Sequence, residues 1–188
     1  MKILICGDSF AADWSKKYPE CKGWATQLAE KYSVVNLAQA GVSQYKIYKQ
    51  VSSVEITNFD VVIVIHTSPY RIVTSKHPLY SNDILHKDSD LIFSDIEYHA
   101  KKFINKFNSP LQTAYNFFIY HYDKEFQETT YNLYKEKVES LITIPKVIIN
   151  NFEDWETIKI NHKGNCNHLN DEGNKILFNR INDIIKKL

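Results

Sequence analysis

Residues 60–65 read Asp-Val-Val-Ile-Val-Ile. From Val61 onward both sides of an extended chain are apolar. Such a strand belongs at the centre of a parallel sheet with both faces covered. Upstream, Lys2 to Cys6 (KILIC) is a short apolar run ended by Gly7, and Ser33 to Ala38 (SVVNLA) is a second strand. Downstream, IPKVIIN ends a fourth strand at Asn150, and Thr157 to Asn161 offers a weak fifth. Helical spacing falls between these runs. Trp24, Leu28 and Tyr32 recur four apart within Gly23 to Tyr32, and a helix carrying Tyr45, Ile47, Tyr48 and Val51 opens after Gly41-Val42-Ser43. Asn170 to Leu188 places Ile176, Leu177, Ile181, Ile184, Ile185 and Leu188 on one helical face. Alternating strand and helix predict an α/β domain with a parallel sheet of four or five strands. In such sheets ligands sit beyond the carboxyl ends of the strands.

The rhythm breaks between residues 67 and 141. Thr67 to Asp90 contains Pro69 and Pro78 and reads as a long loop, a kind of segment that in compact domains tends to be functional. Two or three helices follow. Ile96, His99, Phe103 and Phe107 share one face, and Tyr115, Phe118, Ile119, Tyr122 and Phe126 form an aromatic stripe expected to be core. With no repeat and no low-complexity linker, residues 1–188 are expected to form one domain carrying a helical and loop insertion at about 67–141.

Charge and composition remove several classes of function. The net charge is +1, with 44% hydrophobic and 24% charged residues, so there is no global attraction to nucleic acid or an anionic membrane. Only Arg71 and Arg180 are arginines, a bias that reads as genomic rather than chemical. Cys6, Cys21 and Cys166 are too few and too odd for a disulfide framework, no apolar run approaches 18 residues, and the first strand leaves no room for a signal peptide. A reducing, cytoplasmic setting is expected.

The residues that follow the strands carry the chemistry. Gly7-Asp8-Ser9-Phe10 follows the first strand, Asn36 to Ser43 the second, and His66-Thr67-Ser68-Pro69-Tyr70-Arg71 the third. Asn165 to Asn174 (NCNHLNDEGN) precedes the last helix. A hydroxyl, a glycine turn, a polar loop and a histidine are thereby predicted at one sheet edge. Acyl transfer needs such a set: a nucleophile, a base for its proton, and N–H donors for the oxyanion.

In that order, GDSF at the first strand, a glycine in the second block and His-Leu-Asn-x-x-Gly before a terminal helix, the sequence resembles the SGNH (GDSL-type) hydrolases. The resemblance implies a flavodoxin-like three-layer α/β/α sandwich and a serine esterase or acyl hydrolase needing no cofactor or metal. Ser9 would be the nucleophile and His168 the base, with the Ser9 and Gly41 amides in the oxyanion hole. Two positions depart from the family. The Gly-x-Asn-Asp block reads His66-Thr67-Ser68-Pro69, so Ser68, with Thr67 beside it, stands nearest the oxyanion Asn. The Asp-x-x-His block reads Asn165-Cys166-Asn167-His168, and Asn165 offers no charge to an imidazolium. A backbone carbonyl, Asp154 or Asp171 could orient the ring instead.

Each residue also has a plainer reading. Ser9 could cap a turn, Asp8 could bond backbone amides, and His168 could be a buried or capping histidine. His66 could be a core or pocket histidine. His162, Cys166 and His168 are a weak metal set without a fourth ligand. The expected function is an esterase acting on a small-molecule ester or an acylated carbohydrate. An inactive binding protein of the same fold is the alternative. A nucleotide-binding module is disfavoured because no glycine-rich phosphate loop follows the first strand.

Overall fold

The computed structural model describes residues 1–80, 82–102, 109–150, 158, 161–164 and 168–188. Four strands form one parallel sheet: β1 (Lys2–Cys6), β2 (Ser33–Asn36), β3 (Val61–His66) and β4 (Lys146–Asn150), in the order β2-β1-β3-β4. β1 and β3 are central, which is why KILIC and VVIVI carry so little polarity. Within them, alternate side chains go to opposite faces. Ile3, Ile5, Ile63 and Ile65 pack with Trp24, Leu28, Leu177 and Ile181, from α1 (Trp24–Ala29) and α6 (Asp171–Ile185). Leu4, Cys6, Val62 and Val64 pack on the other face with Ile47, Val51, Val138 and Ile142, from and just beyond α2 (Gln44–Ser52) and α5 (Lys124–Leu141). Two helical layers therefore enclose the sheet, as expected of a flavodoxin-like α/β fold. Each fully buried Ile or Leu in these layers contributes about 1.5–3 kcal/mol of transfer free energy.

Helix starts follow the capping rules. Ser43 caps α2 through the Lys46 N–H, Asp123 caps α5 through the Phe126 N–H, and Asn170 caps α6 through the Gly173 N–H. The segment from Thr67 to Ile92 has no helix or strand among its described residues and is closed by an isolated antiparallel bridge between Ile72 and Leu91. Three helices follow: α3 (Phe93–Lys102), α4 (Ser109–Tyr120) and α5. Ile96, Leu111, Ala114 and Phe118 make a separate buried cluster between α3 and α4.

Two expectations are corrected. The stretch 157–161 is not a strand in its described residues: Ile158 and Asn161 are helical, and the His162 N–H donates to the Ile158 carbonyl at 2.8 Å. The aromatic stripe is not one core face. The chain turns between α4 and α5, so Phe126 belongs to the next helix and is 69% exposed, while Ile119 is 48% exposed and only Phe118 is buried. Phe103 and Phe107 lie outside the described residues. Cys21 is disulfide-bonded and Cys6 is a free, buried thiol pushed far up in pKa by burial. That bond was not expected from three cysteines read as a reduced set. Among the described residues no helix is long and apolar enough to cross a membrane.

Candidate active site

The turn after β1 is built by its own polar groups. The Asp8 carbonyl accepts the Ala11 and Ala12 N–H groups, both at 3.1 Å. The Asp8 carboxylate accepts the Phe10 N–H at 3.0 Å through Oδ1 and the Thr67 hydroxyl at 2.7 Å through Oδ2. Two indoles brace the same turn, Trp14 donating to the Ser9 carbonyl at 2.8 Å and Trp24 to the Phe10 carbonyl at 2.7 Å. Burial raises the Asp8 pKa, opposed by the Arg71 charge, the Phe10 amide, the Thr67 hydroxyl and His168. Ser9 thus sits, largely buried, on a turn with little freedom to move.

His168 comes from the far end of the chain. Its Nε2 stands 3.0 Å from Ser9 Oγ, across a sequence separation of 159 residues. Its backbone is left-handed, with φ of 61°. For a non-glycine residue this is uncommon and marks a position fixed by its surroundings. The next residues supply the fixing. Leu169 is fully buried, Asn170 donates its N–H to the His162 carbonyl at 2.8 Å, and Asn174 donates to the Leu169 and Asn170 carbonyls. The imidazole packs 4.4 Å from the Phe10 ring and meets Trp14 edge-on. Asn165, expected to orient the ring, and Cys166 lie outside the described residues, as does Asp154. Among the described residues no group of three His, Cys, Asp or Glu could hold a metal ion.

Gly41 has φ of 76°, and a methyl group there would run into the Ser89 side chain. The Asp90 N–H donates to the Gly41 carbonyl at 2.9 Å, Arg71 donates to it through one terminal nitrogen at 3.2 Å, and the Ser89 hydroxyl donates to the Ala40 carbonyl. Asp90 in turn accepts from the Ser43 and Thr74 N–H groups and pairs with Lys46 at 2.7 Å. Residues 89–90 therefore strap the glycine turn in place. Neither the Ser9 nor the Gly41 N–H has a hydrogen-bond acceptor among the described residues.

These groups share one cavity of about 240 Å³, lined by Ser9, Phe10, Trp14, Gly41, Arg71, Tyr80, His86, Ser89, Asp90, Asp95 and His168. The two hydroxyls expected after β3 are placed elsewhere. The Thr67 hydroxyl is given to Asp8, and Ser68 Oγ accepts the Tyr70 N–H at 3.3 Å while lining a small neighbouring cavity with Ser43, Gln44 and Tyr131. His66 is fully buried. Its Nδ1 lies 2.8 Å from Gln44 Nε2, and burial, with the nearby Lys135 charge, pushes its pKa down to about 3. Its Nε2 is 3.3 Å from Glu139 without hydrogen-bond geometry, so this neutral ring forms no ion pair.

Arg71 is the cavity residue that sequence reasoning passed over. Its Nε is buried with no partner, and no carboxylate lies within ion-pair distance among the described residues. Its rarity as one of two arginines was the available signal. The outer wall is aromatic and charged: Tyr80 stacks on buried His77 at 4.5 Å, and Trp14 meets His86 edge-on at 5.8 Å. His86 and Lys17 both bond Asp83; burial works against that carboxylate's charge, but these bonds hold its pKa well below the usual range.

No family model and no curated protein matches the sequence. Among solved structures, the chain is similar to the lipase/acylhydrolase from Enterococcus faecalis, at 13% identity over 99% of this chain and 95% of that one, with a TM-score of 0.44. At that level the likeness is only descriptive, and the α/β assignment rests on the chain's own strand order.

Proposed function

We propose that the chain is a serine hydrolase, an esterase that cleaves a small or sugar-linked acyl ester through a Ser9 acyl-enzyme. The observation that carries this reading is the 3.0 Å approach of His168 Nε2 to Ser9 Oγ in a cavity lined by Ser9 and Gly41, whose backbone N–H groups have no acceptor among the described residues. His168 takes the hydroxyl proton as Oγ attacks the ester carbonyl. The carbonyl π electrons move to oxygen, and the Ser9 and Gly41 N–H groups receive the resulting oxyanion. Collapse expels the alcohol, which takes the proton from His168, and water repeats the sequence to release the acid. The cavity volume suits a short acyl group. Trp14 and Tyr80 offer aromatic faces to a sugar ring, and Asp95 offers it an acceptor.

A fluorophosphonate probe tests the reading. Ser9 of the parent should be labelled, and Ser9→Ala should lose both labelling and short-chain aryl ester hydrolysis while its melting temperature barely moves. One observation favours a second reading: Asn165 replaces an acid by an uncharged amide in the block before His168. A folded parent that neither labels nor turns over ester, yet binds acylated sugars in this cavity, would establish a binding protein.

A further inference from the structure

We infer that Arg71 is a catalytic residue, its guanidinium donating to the oxyanion as the third donor beside the Ser9 and Gly41 amides. The inference rests on the Ser9 esterase reading and goes beyond it. The hydroxyls nearest in sequence to that task are committed, Thr67 to Asp8 and Ser68 to the Tyr70 amide, and Ser68 borders a different cavity. Arg71 leaves the same loop three residues later and lines both cavities, so that it alone of this loop reaches from the Ser68 side to the Ser9 cavity among the described residues. One terminal nitrogen donates to the Gly41 carbonyl, which brings the guanidinium to the residue whose own N–H is unbonded. That bond uses one of five N–H donors. Nε is buried without a partner, and no carboxylate neutralises the charge at ion-pair distance among the described residues. Arg71 is a half-buried cation with spare donors; it acts on the buried Asp8 carboxyl without a direct ion pair, so its remaining N–H groups stay open to an oxyanion beside Ser9.

The backbone of Arg71 is held for this purpose. Its carbonyl accepts the Gln127 side-chain amide from α5 at 2.7 Å, and the next residue forms the Ile72–Leu91 bridge. In the addition step, the Ser9 Oγ–carbon bond forms, the proton passes to His168 Nε2, and the carbonyl electron pair settles on oxygen. Ser9 N–H, Gly41 N–H and an Arg71 N–H then surround that oxygen. On collapse the oxygen–carbon double bond returns, the alcohol leaves with the proton from His168, and the three donors are released. The oxyanion charge exists only in the intermediate and its flanking transition states, so this effect of Arg71 belongs in kcat rather than in binding.

The test uses the whole chain with Arg71→Met, Arg71→Lys and Arg71→Ala, on two esters: neutral p-nitrophenyl acetate and anionic p-nitrophenyl hemisuccinate. Loss of one oxyanion donor predicts kcat down by ~10²–10³ for Arg71→Met on both esters, with KM little changed. Fluorophosphonate labelling of Ser9 should slow in parallel, and Arg71→Lys should retain part of the rate. Millimolar guanidinium should restore turnover to Arg71→Ala. Parental kcat for Arg71→Met on the neutral ester overturns the inference alone, leaving the Ser9 reading intact. A loss confined to KM for the hemisuccinate also overturns it, in favour of an anion-specificity role. A parent that fails to label at Ser9 removes the reading and the inference together. If Arg71→Met does not fold, absence of guanidinium rescue in a folded Arg71→Ala overturns it.

Discussion

A methyl group on Gly41 would meet the Ser89 side chain, and the residue's φ of 76° would strain any side chain. Gly41→Ala is therefore expected to cost about 1–3 kcal/mol in stability. Because Ser89 and Asp90 hold the same turn, the collision should also displace the Gly41 amide. Ser9 labelling should slow by roughly 10²-fold, the cost of a misplaced oxyanion donor. Parental labelling in Gly41→Ala would show that this amide does not face the reacting oxygen. That Ser9, Gly41 and His168 would border one cavity was legible in the sequence, because each sits in a short run next to an element end. Arg71 was not. Its place in the cavity depends on a side chain reaching back across a loop, and sequence spacing holds no record of that reach. The Cys21 bond was hidden for a similar reason, since an odd count of three gives no pairing.

Between β3 and α3 the described residues make no regular element, yet they do the work of one. Asp90 is fully buried in its side chain and holds four things at once: the Lys46 ammonium, the Ser43 and Thr74 amides and, through its own N–H, Gly41. Asp90→Ala removes the carboxylate paired with the Lys46 ammonium, which keeps the Thr74 and Asp88 carbonyls, and orphans two amides. A loss of about 3–5 kcal/mol is expected, the range for breaking a buried ion pair from one side. Denaturant titration checks this, and Asp90→Asn, which keeps an acceptor, should fall between parent and Ala. A fall under about 1 kcal/mol for Asp90→Ala, no more than an exposed ion pair contributes, would mean that the strap is not needed. The strands were legible because burial on both faces writes continuous apolar runs, and β3 is the clearest of them. Residues 157–161 alternate like a strand, but alternation over five residues is short enough for tertiary packing to override, and Ile158 lies in the core from a helical turn.

For the molecule as a whole, two buried imidazoles are expected to lower stability as pH falls from neutral, before the Asp83 carboxylate adds its own loss at lower pH. Burial pushes His66 down to about 3, helped by Lys135, and His77 down to about 4, with Asp95 and Asp90 opposing. An unfolded histidine takes its proton near pH 6.5. From there down to about pH 3–4 the unfolded chain binds more protons, so stability should fall as pH falls. Each ring can contribute a slope of up to about 1.4 kcal/mol per pH unit. Asp8 acts in the opposite sense: its raised carboxyl adds stability at low pH that is lost as pH rises through its folded pKa. Melting temperatures between about pH 7 and pH 4 should show the net decline. His66→Gln, which cannot titrate, should flatten it, and an unchanged slope in that variant would place the acid sensitivity elsewhere.

The 159-residue span between Ser9 and His168 also has a meaning in time. β1 pairs with β3 on one side, and α6 must dock on the sheet before its preceding turn can present the imidazole. Closing so long a loop is entropically late, because distant contacts reward the chain only after nearer ones form. Refolding from denaturant should therefore recover helical circular dichroism before it recovers the capacity of Ser9 to react with a fluorophosphonate. Reactivity rising in step with the helical signal would mean that the two ends of the chain meet as early as any other part of it.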